Sequence, residues 1–243
     1  MILIYDVNNW VRVKLEEASP APIKSFFCEV ITQSVNNTQI FVSDGKYGNS
    51  LRKGMHPTYK AKRKAADSSI YAGITFFKEL LVDAPKNVLR AEKQGWEADD
   101  LIANLVTTFK NAGMKDVQII STDKDYTQLG VPTLATPKTE AKWVRLYKTL
   151  VGDSSDNIPG LKGFGEKSWE KLSPEIRNRL CVGFDTQLWP KDICSWLEVK
   201  NFPLEELNLY WKIIGFFETK VDLLPGSGKV QEALLKIKHF EGF

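Results

Sequence analysis

The sequence predicts an α/β fold, in which a mainly parallel, twisted sheet is flanked by helices and followed by a helical C-terminal part. Short apolar runs rich in β-branched residues alternate with longer segments whose apolar residues recur every three or four positions. Acidic residues follow several of the short runs, and open parallel sheets place their functional sites at the carboxyl ends of strands. After about Thr149 the chain changes to short helical segments separated by glycine and proline.

The predicted elements alternate in order along the first half of the chain. The β-branched runs predict strands at Ile2–Val7, Ile40–Ser43, Asn87–Ala91, Val117–Ser121 and Trp143–Tyr147. The helical spacing of apolar residues predicts helices at Pro22–Val35, Ser69–Val82 and Ala98–Lys110. Because alternating strands and helices form one α/β core, we predict a core over residues 1–150 and a helical part over residues 151–243.

Charge is distributed unevenly along the chain. The net charge of +3 is only mildly basic, so the average says little about partners. One segment, residues 45–64, contains no acid but carries Lys46, Arg52, Lys53, Lys60, Lys62, Arg63 and Lys64. A separate basic segment of this kind is typical of a protein that binds a polyanion.

The composition excludes several other classes of protein. A chain of 243 residues with 43% hydrophobic content can bury a sizeable core, which argues against a disordered or fibrous protein. Cys28, Cys181 and Cys194 are odd in number and lack metal-like spacing, which argues against disulfides and a zinc site. No apolar run approaches the roughly 20 residues of a membrane span, and the N-terminus meets a charge too early for a signal peptide. We therefore expect an unsecreted protein of the cytoplasm.

Nine carboxylates in five stretches are the candidate site. They are Asp6, Asp44, Glu97, Asp99, Asp100, Asp123, Asp125, Asp153 and Asp156. Taken singly, each cluster is explained by a helix start, where the macrodipole favours acids, or by a solvated loop. Taken together, most of them fall at predicted strand ends or helix starts on one rim of one sheet. Crowded carboxylates repel one another, so a positive group is expected among them.

The ligand types favour hard cations at this rim. The chain has only two histidines, His56 and His239, so oxygen ligands dominate and Mg²⁺ or Mn²⁺ is expected rather than zinc. Two such ions ~3.5–4 Å apart can activate a water and stabilise the leaving oxygen of a phosphoryl displacement. The acids therefore predict a two-metal hydrolase that needs no histidine base.

Three ordered motifs resemble the 5′-nuclease family. They are Glu97–Asp100 (EADD), Ser121–Tyr126 (STDKDY) and Gly152–Gly160 (GDSSDNIPG). The family includes bacteriophage 5′–3′ exonucleases, flap endonucleases and the 5′-nuclease domain of DNA polymerase I, and its core is PIN-like. The similarity runs from Asp6 to about Leu172, with one departure: Val7 follows Asp6 where relatives often have glycine.

The resemblance implies a reaction and a ligand assignment. The reaction is hydrolysis of DNA phosphodiesters at 5′ ends, flaps and nicked duplex, including RNA-primer removal, with two Mg²⁺ or Mn²⁺ ions. The family pattern places Asp6, Asp44, Glu97 and Asp99 on the first ion, with Asp99 between the two ions and Asp100 behind the ligands. The second ion is assigned Asp123, Asp125, Asp153 and Asp156. The expected catalytic residues are Asp6, Asp44, Glu97, Asp99, Asp123, Lys60 and Arg63.

Two segments are expected to hold DNA. Residues 158–172 resemble a helix-hairpin-helix, in which Gly163 and Gly165 allow a tight turn and helix-start amides face a phosphate. Lys162 and Lys167 add charge, and the family hairpin commonly holds K⁺. The remaining expected contacts come from the basic arch region, residues 45–66: Lys46, Arg52, Lys53, Tyr59, Lys60, Lys62 and Arg63.

Within that region, the spacing Tyr59-Lys60-x-x-Arg63 matches the family's arch. Lys60 and Arg63 would face the same way if the segment is helical, and would reach the scissile phosphate or guide a single strand. Tyr59 could stack on a terminal base or pack in the core. Binding through phosphates should be weakly sequence-selective and should weaken steeply with salt.

Three alternatives remain open at this point. A PIN-type RNA nuclease would share the acid-lined sheet but would not need the hairpin at Gly163–Lys167. A non-catalytic DNA-binding protein would not need all nine acids, and a small-molecule phosphatase would not need the basic cluster. We expect a stand-alone monomeric enzyme, because no polymerase region is present, and the resemblance to phage nucleases favours the cytoplasm of a host cell.

Overall fold

The computed structural model describes residues 1–17, 23–64, 67–191, 193 and 203–239. The chain forms two compact units, each assembled from separate segments. The sheet unit comprises Met1–Asn49, Ala65–Thr136 and Glu218–Phe243, and the helical unit comprises Ser50–Lys64 and Pro137–Phe217. These bounds differ from the predicted division at residue 150, because the segment after Asn49 belongs with the later helices and the chain returns to the sheet after Phe217.

The sheet has five strands, in the order β4-β1-β2-β3-β5. They are β1 (Ile2–Asp6), β2 (Thr38–Asp44), β3 (Val88–Lys93), β4 (Val117–Ile120) and β5 (Leu224–Pro225). The first four pair in parallel, whereas β5 is antiparallel to β3. In this register Ile4 of β1 lies opposite Ile40 on one side and Ile119 on the other. The mainly parallel sheet and its first four strands were predicted; β5 was not.

The helices in chain order are α1 (Val7–Glu17), α2 (Ile23–Ser34), α3 (Ser50–Met55), α4 (Ser68–Val82), α5 (Ala98–Asn111), α6 (Val144–Val151), α7 (Glu166–Glu170), α8 (Pro174–Thr186), α9 (Leu204–Ile214) and α10 (Val230–Lys238). Side chains cap the starts of α4 and α8: Asp67 accepts a hydrogen bond from the amide of Ser69 at the start of α4, and Ser173 accepts one from the amide of Ile176 at the start of α8. The predicted helices at α2, α4 and α5 are present, and α1 was missed because it follows β1 without a turn.

Both faces of the sheet are buried, which explains the near-continuous apolar character of its strands. Successive strand residues point to opposite faces. Leu3 and Tyr5 accordingly pack in one core with Phe77 of α4, while Ile4 packs in the other core with Leu101 of α5. The strands therefore sit between two helical layers, with their carboxyl ends at one edge.

The predicted strand at Trp143–Tyr147 is wrong. A short 3-10 helix at Ala141–Trp143 leads directly into α6. Trp143, Leu146 and Leu150 are all buried, and their spacing of three and four residues places them on one helical face. A short apolar run fits a strand or a helix equally well from its residues alone, and here packing within the helical unit decides.

The core of the helical unit is aromatic. Phe184 and Trp211 stack with ring centroids 5.0 Å apart, and Trp169 is also buried. Two residues named in the predictions above, Pro22 and Cys194, lie outside the described residues. Among the residues that the structure describes, no helix is both long and apolar enough to cross a membrane.

Candidate metal centre and nucleic-acid interface

Three parallel strands bring acids to the same edge of the sheet. Asp6 is the last residue of β1, Asp44 is the last residue of β2, and Asp123 follows β4 after two residues. The first turn of α5, which follows β3, adds Asp99 and Asp100. Because parallel strands all end at one edge, acids distant in sequence converge there.

Asp44 is fixed by a close approach of two loops. A Cβ atom at Gly45 would lie 1.8 Å from the carbonyl oxygen of Lys93, so only glycine lets the loop after β2 lie against the end of β3. Asp44 Oδ1 then accepts a hydrogen bond of 2.7 Å from the amide of Ala98 at the start of α5. Asp44 Oδ2 accepts a 2.9 Å bond from Asn8 Nδ2, so both carboxylate oxygens are oriented.

Asp6 lies at the centre of the acids. Its side chain is buried, its Oδ1 accepts from the amide of Asn9 at 3.1 Å, and its Oδ2 accepts from the Tyr126 hydroxyl at 3.0 Å. Burial and the negative charges of Asp99 and Asp44, followed by that of Asp123, raise the pKa of Asp6 to about 8, although the Asn9 amide opposes this shift. The three charged side chains that raise this pKa, those of Asp99, Asp44 and Asp123, are all acids.

The remaining acids of the sheet unit belong to the EADD and STDKDY motifs: Glu97 and Asp100 to the first, Asp125 to the second. Glu97 is the buried N-cap residue of α5, and Asp100 is almost fully buried in the first turn of the helix. Asp125 lies in the first turn of a 3-10 helix at Lys124–Leu129, and its amide donates to Asp123 Oδ1 at 3.0 Å.

This set of donors suits a hard divalent cation. The candidate ligand oxygens belong to carboxylates. Burial and the neighbouring acids raise the pKa of Asp6 and so favour its neutral form. A bound cation would relieve that repulsion and would favour the ionised form. Mg²⁺ and Mn²⁺ prefer such all-oxygen sites, so Asp6, Asp44, Asp99 and Asp123 fit the metal that the sequence predicts.

Sequence reasoning gave no role to four polar residues that hold these acids in place: Asn8, Asn9, Ser121 and Tyr126. Asn8 and Asn9 lie in the first turn of α1, and the other two belong to the STDKDY motif. Their position beside the acids is a signal that the sequence contains.

Asp156 of the helical unit is bound by Arg63. Arg63 Nη2 lies 2.7 Å from Asp156 Oδ1, and Arg63 Nε donates to the Ser155 carbonyl at 3.1 Å. Burial raises the pKa of Asp156, while Lys60 and Arg63 oppose the shift. Lys60 and Arg63 therefore both lie close to the carboxylate of Asp156.

Asp153 pairs with Lys148. The Lys148 Nζ lies 2.7 Å from Asp153 Oδ2, and both side chains are largely buried. Burial favours the neutral carboxyl, but Lys148 and the hydrogen bonds from Ser155 outweigh it and lower the pKa of Asp153. Asp153 and Asp156 thus have cationic partners within the helical unit, and their role as metal ligands stays a prediction.

Two predicted DNA contacts of the basic arch region, Arg52 and Tyr59, need correction, and the helix on which the alignment of Lys60 and Arg63 was conditional does not form. The conditional helix around Lys60 is absent: residues 57–62 form turns, and Lys60 itself has a φ of 57°. Arg52 is 3% exposed, and its guanidinium donates to the carbonyls of Ile213 and Gly215, so it has no surface for a phosphate. Tyr59 is 2% exposed in the core, which leaves no ring face for a base.

The other predicted DNA contacts lie at the surface. Exposed positions are Lys46, Lys53, Lys62, Lys162, Gly163, Gly165 and Lys167. Gly163 has a φ of 78°, a conformation that favours glycine, and α7 begins directly after Gly165. The turn that the hairpin requires is therefore present, and its function as a helix-hairpin-helix stays a prediction.

The raised pKa of Asp6 predicts a pH-dependent response to metal. A carboxyl with a raised pKa stabilises the metal-free fold fully below its ordinary value of 3.8, and this stabilisation is lost as the pH rises through about 8. Because Mg²⁺ must displace the proton, we expect it to raise the Tm more at about pH 8.5 than at about pH 6. Thermal denaturation with and without Mg²⁺ measures this difference. Asp6→Asn should abolish it, and equal wild-type shifts at both pH values would contradict the prediction.

Known proteins resemble this chain in sequence and in fold. A family model described as the 5′-3′ exonuclease, N-terminal resolvase-like domain, matches residues 18–149. DNA polymerase I of Caldicellulosiruptor bescii is 37% identical over 159 residues, which cover 56% of this chain and 18% of the polymerase. DNA polymerase I of Bacillus subtilis is 34% identical over 144 residues, covering 51% of this chain and 16% of the polymerase. The chain thus spans less than a fifth of the length of these relatives.

Solved structures show the same architecture. T5 5′-exonuclease, solved with bound divalent metal ions (zinc), superposes with a TM-score of 0.64 at 19% identity and covers 98% of both chains. The catalytic core of Rad2 in complex with a DNA substrate superposes with a TM-score of 0.52 at 17% identity, covering 100% of this chain and 87% of that one. These likenesses confirm the predicted fold class.

Proposed function

Because the chain belongs to the 5′-3′ exonuclease family, whose model spans more than half of it, we propose that it cleaves DNA phosphodiesters at 5′ ends, flaps and nicked or RNA-primed duplex. The observation that carries the proposal is the group of acids around the buried Asp6 at the carboxyl edge of the sheet. The activities of the much longer polymerases are not carried over.

The proposed reaction uses two divalent cations, Mg²⁺ or Mn²⁺. When bound, such ions activate a water and stabilise the leaving oxygen. Asp6, Asp44, Glu97 and Asp99 would hold one ion, with Asp100 behind them. The ordered family motifs alone support the assignment of Asp123, Asp125, Asp153 and Asp156 to the other.

The protein groups around these acids orient them before a metal binds. Asn8 and the Ala98 amide hold Asp44, while the Asn9 amide and Tyr126 hold Asp6. Hydrogen bonds of this kind set the direction of each carboxylate and reduce the reorganisation that metal binding requires. The burial of Asp6 also keeps bulk water away from part of the site, which strengthens its electrostatic interactions.

DNA would be held mainly through its phosphates. Lys162 and Lys167 flank the exposed turn at Gly163 and Gly165, which we propose as a backbone-binding hairpin that can hold K⁺. Lys46, Lys53 and Lys62, together with Lys60 and Arg63, would supply further phosphate contacts. We further propose that the enzyme acts as a monomer in the cytoplasm.

Product mapping tests this function directly. We expect a 5′-labelled flap duplex incubated with Mg²⁺ or Mn²⁺ to release short labelled products from its 5′ side, and EDTA to abolish the cleavage. The lengths of the products give the polarity and the position of the cut at once. Equal or faster cleavage of an unstructured RNA would favour a PIN-type RNA nuclease, and no cleavage with either metal would reduce the proposal to DNA binding.

A further inference from the structure

Tyr126 links two acids that come from different elements of the sheet unit. Its hydroxyl lies 2.7 Å from Asp99 Oδ1 on α5 and 3.0 Å from Asp6 Oδ2 at the end of β1. A phenol has one proton to donate, so the two carboxylates share a single donor. When both carboxylates are ionised they repel each other, and a shared donor between them then fixes both the distance and the orientation of the pair.

The ring that carries this hydroxyl is held rigidly. Tyr126 is fully buried and packs in the same core as Ile4 and Ile102. Its 3-10 helix is closed by Gly130 in the left-handed conformation and is tied to the chain at Lys110, whose Nζ donates to the Leu129 carbonyl at 2.6 Å. Burial and these contacts therefore hold the hydroxyl in a defined position between the two carboxylates.

We propose that Tyr126 is a positioning residue that sets the divalent-cation affinity of the site by holding Asp6 and Asp99 together, an inference that rests on the proposed function. Metal affinity depends on ligands that are already oriented, and removal of a group that orients a ligand costs roughly 10–100-fold in affinity. The hydroxyl contacts the proposed ligands and needs no contact with DNA, so its effect should fall on metal binding first.

Tyr126→Phe isolates this role, because it keeps the buried ring and removes only the hydroxyl. We expect calorimetric titration of the DNA-free protein with Mn²⁺ to show binding at least about tenfold weaker than wild type. The Mg²⁺ concentration for half-maximal flap cleavage should rise by a similar factor, and saturating Mg²⁺ should restore most of the turnover. Rescue by metal is a result that a merely structural defect would not give.

Tyr5→Phe is the matched control. Tyr5 is also a buried tyrosine of the sheet unit, but its hydroxyl donates to Gln33 Oε1 at 2.7 Å. This variant should keep wild-type Mn²⁺ affinity. Affinity within twofold of wild type in Tyr126→Phe, or an equal loss in both variants, would overturn the positioning role while leaving the proposed function intact. If wild type neither binds Mn²⁺ nor cleaves DNA, the proposed function fails and this inference fails with it.

Discussion

Asp99→Asn is expected to lower turnover by at least about 10²-fold, the order of magnitude lost when one group that stabilises transition-state charge is removed. Asp99 faces Asp6, and its Oδ1 is held by Tyr126 at 2.7 Å. Asparagine has the same shape and keeps an oxygen for this hydrogen bond, so the fold should persist. The substitution does, however, remove the negative charge that would bind a cation at the centre of the site.

DNA affinity should be unchanged or higher in the same variant. The substitution removes a negative charge that would repel phosphates, and Asp99 contributes no proposed DNA contact. Single-turnover cleavage of a 5′ flap and fluorescence anisotropy without metal measure the two properties separately. Asp116→Asn is the control, because Asp116 is an exposed acid at the amino end of β4. Wild-type turnover in Asp99→Asn would remove this residue from the site.

The convergence of acids was predictable from the sequence because it follows from strand order alone. Asp6 and Asp44 each end a β-branched run, and the ends of parallel strands share one edge wherever the connecting helices lie. What could not be predicted is how each acid is oriented. Asn8 and Tyr126 reach the acids because their segments are helical, Asn8 in α1 and Tyr126 in the 3-10 helix. Neither helix was predicted from the sequence.

Two residues of the basic segment show the same limit. Arg52 and Lys53 are adjacent and both basic, yet the first is buried and the second is exposed. The difference arises because Arg52 meets the carbonyls of Ile213 and Gly215, more than 150 residues later in the chain. No local pattern records such a contact, so a charge run predicts a surface but not which of its members point away from it.

Substituting both Lys60 and Arg63 by alanine should weaken DNA binding and cleavage together. Each lost phosphate contact should reduce the slope of log affinity against log salt by about 0.9 for duplex or about 0.7 for a single strand. Arg63 has a second role to separate from this one, since it pairs with Asp156. The Arg63 side chain is 47% exposed, but that of Asp156 is only 10% exposed, so the variant should also have a lower Tm, because a buried carboxylate loses its compensating charge.

The control removes the same charge elsewhere: Lys24 and Lys115 are exposed lysines outside the basic segment and the hairpin. The Lys24→Ala, Lys115→Ala variant should keep a wild-type slope, because the slope counts phosphate contacts and not total charge. A wild-type slope in the Lys60→Ala, Arg63→Ala variant would exclude phosphate contact by these residues. If its Tm fell strongly while the slope stayed at the wild-type value, Lys60 and Arg63 would serve to neutralise Asp156 in the helical unit instead of binding DNA.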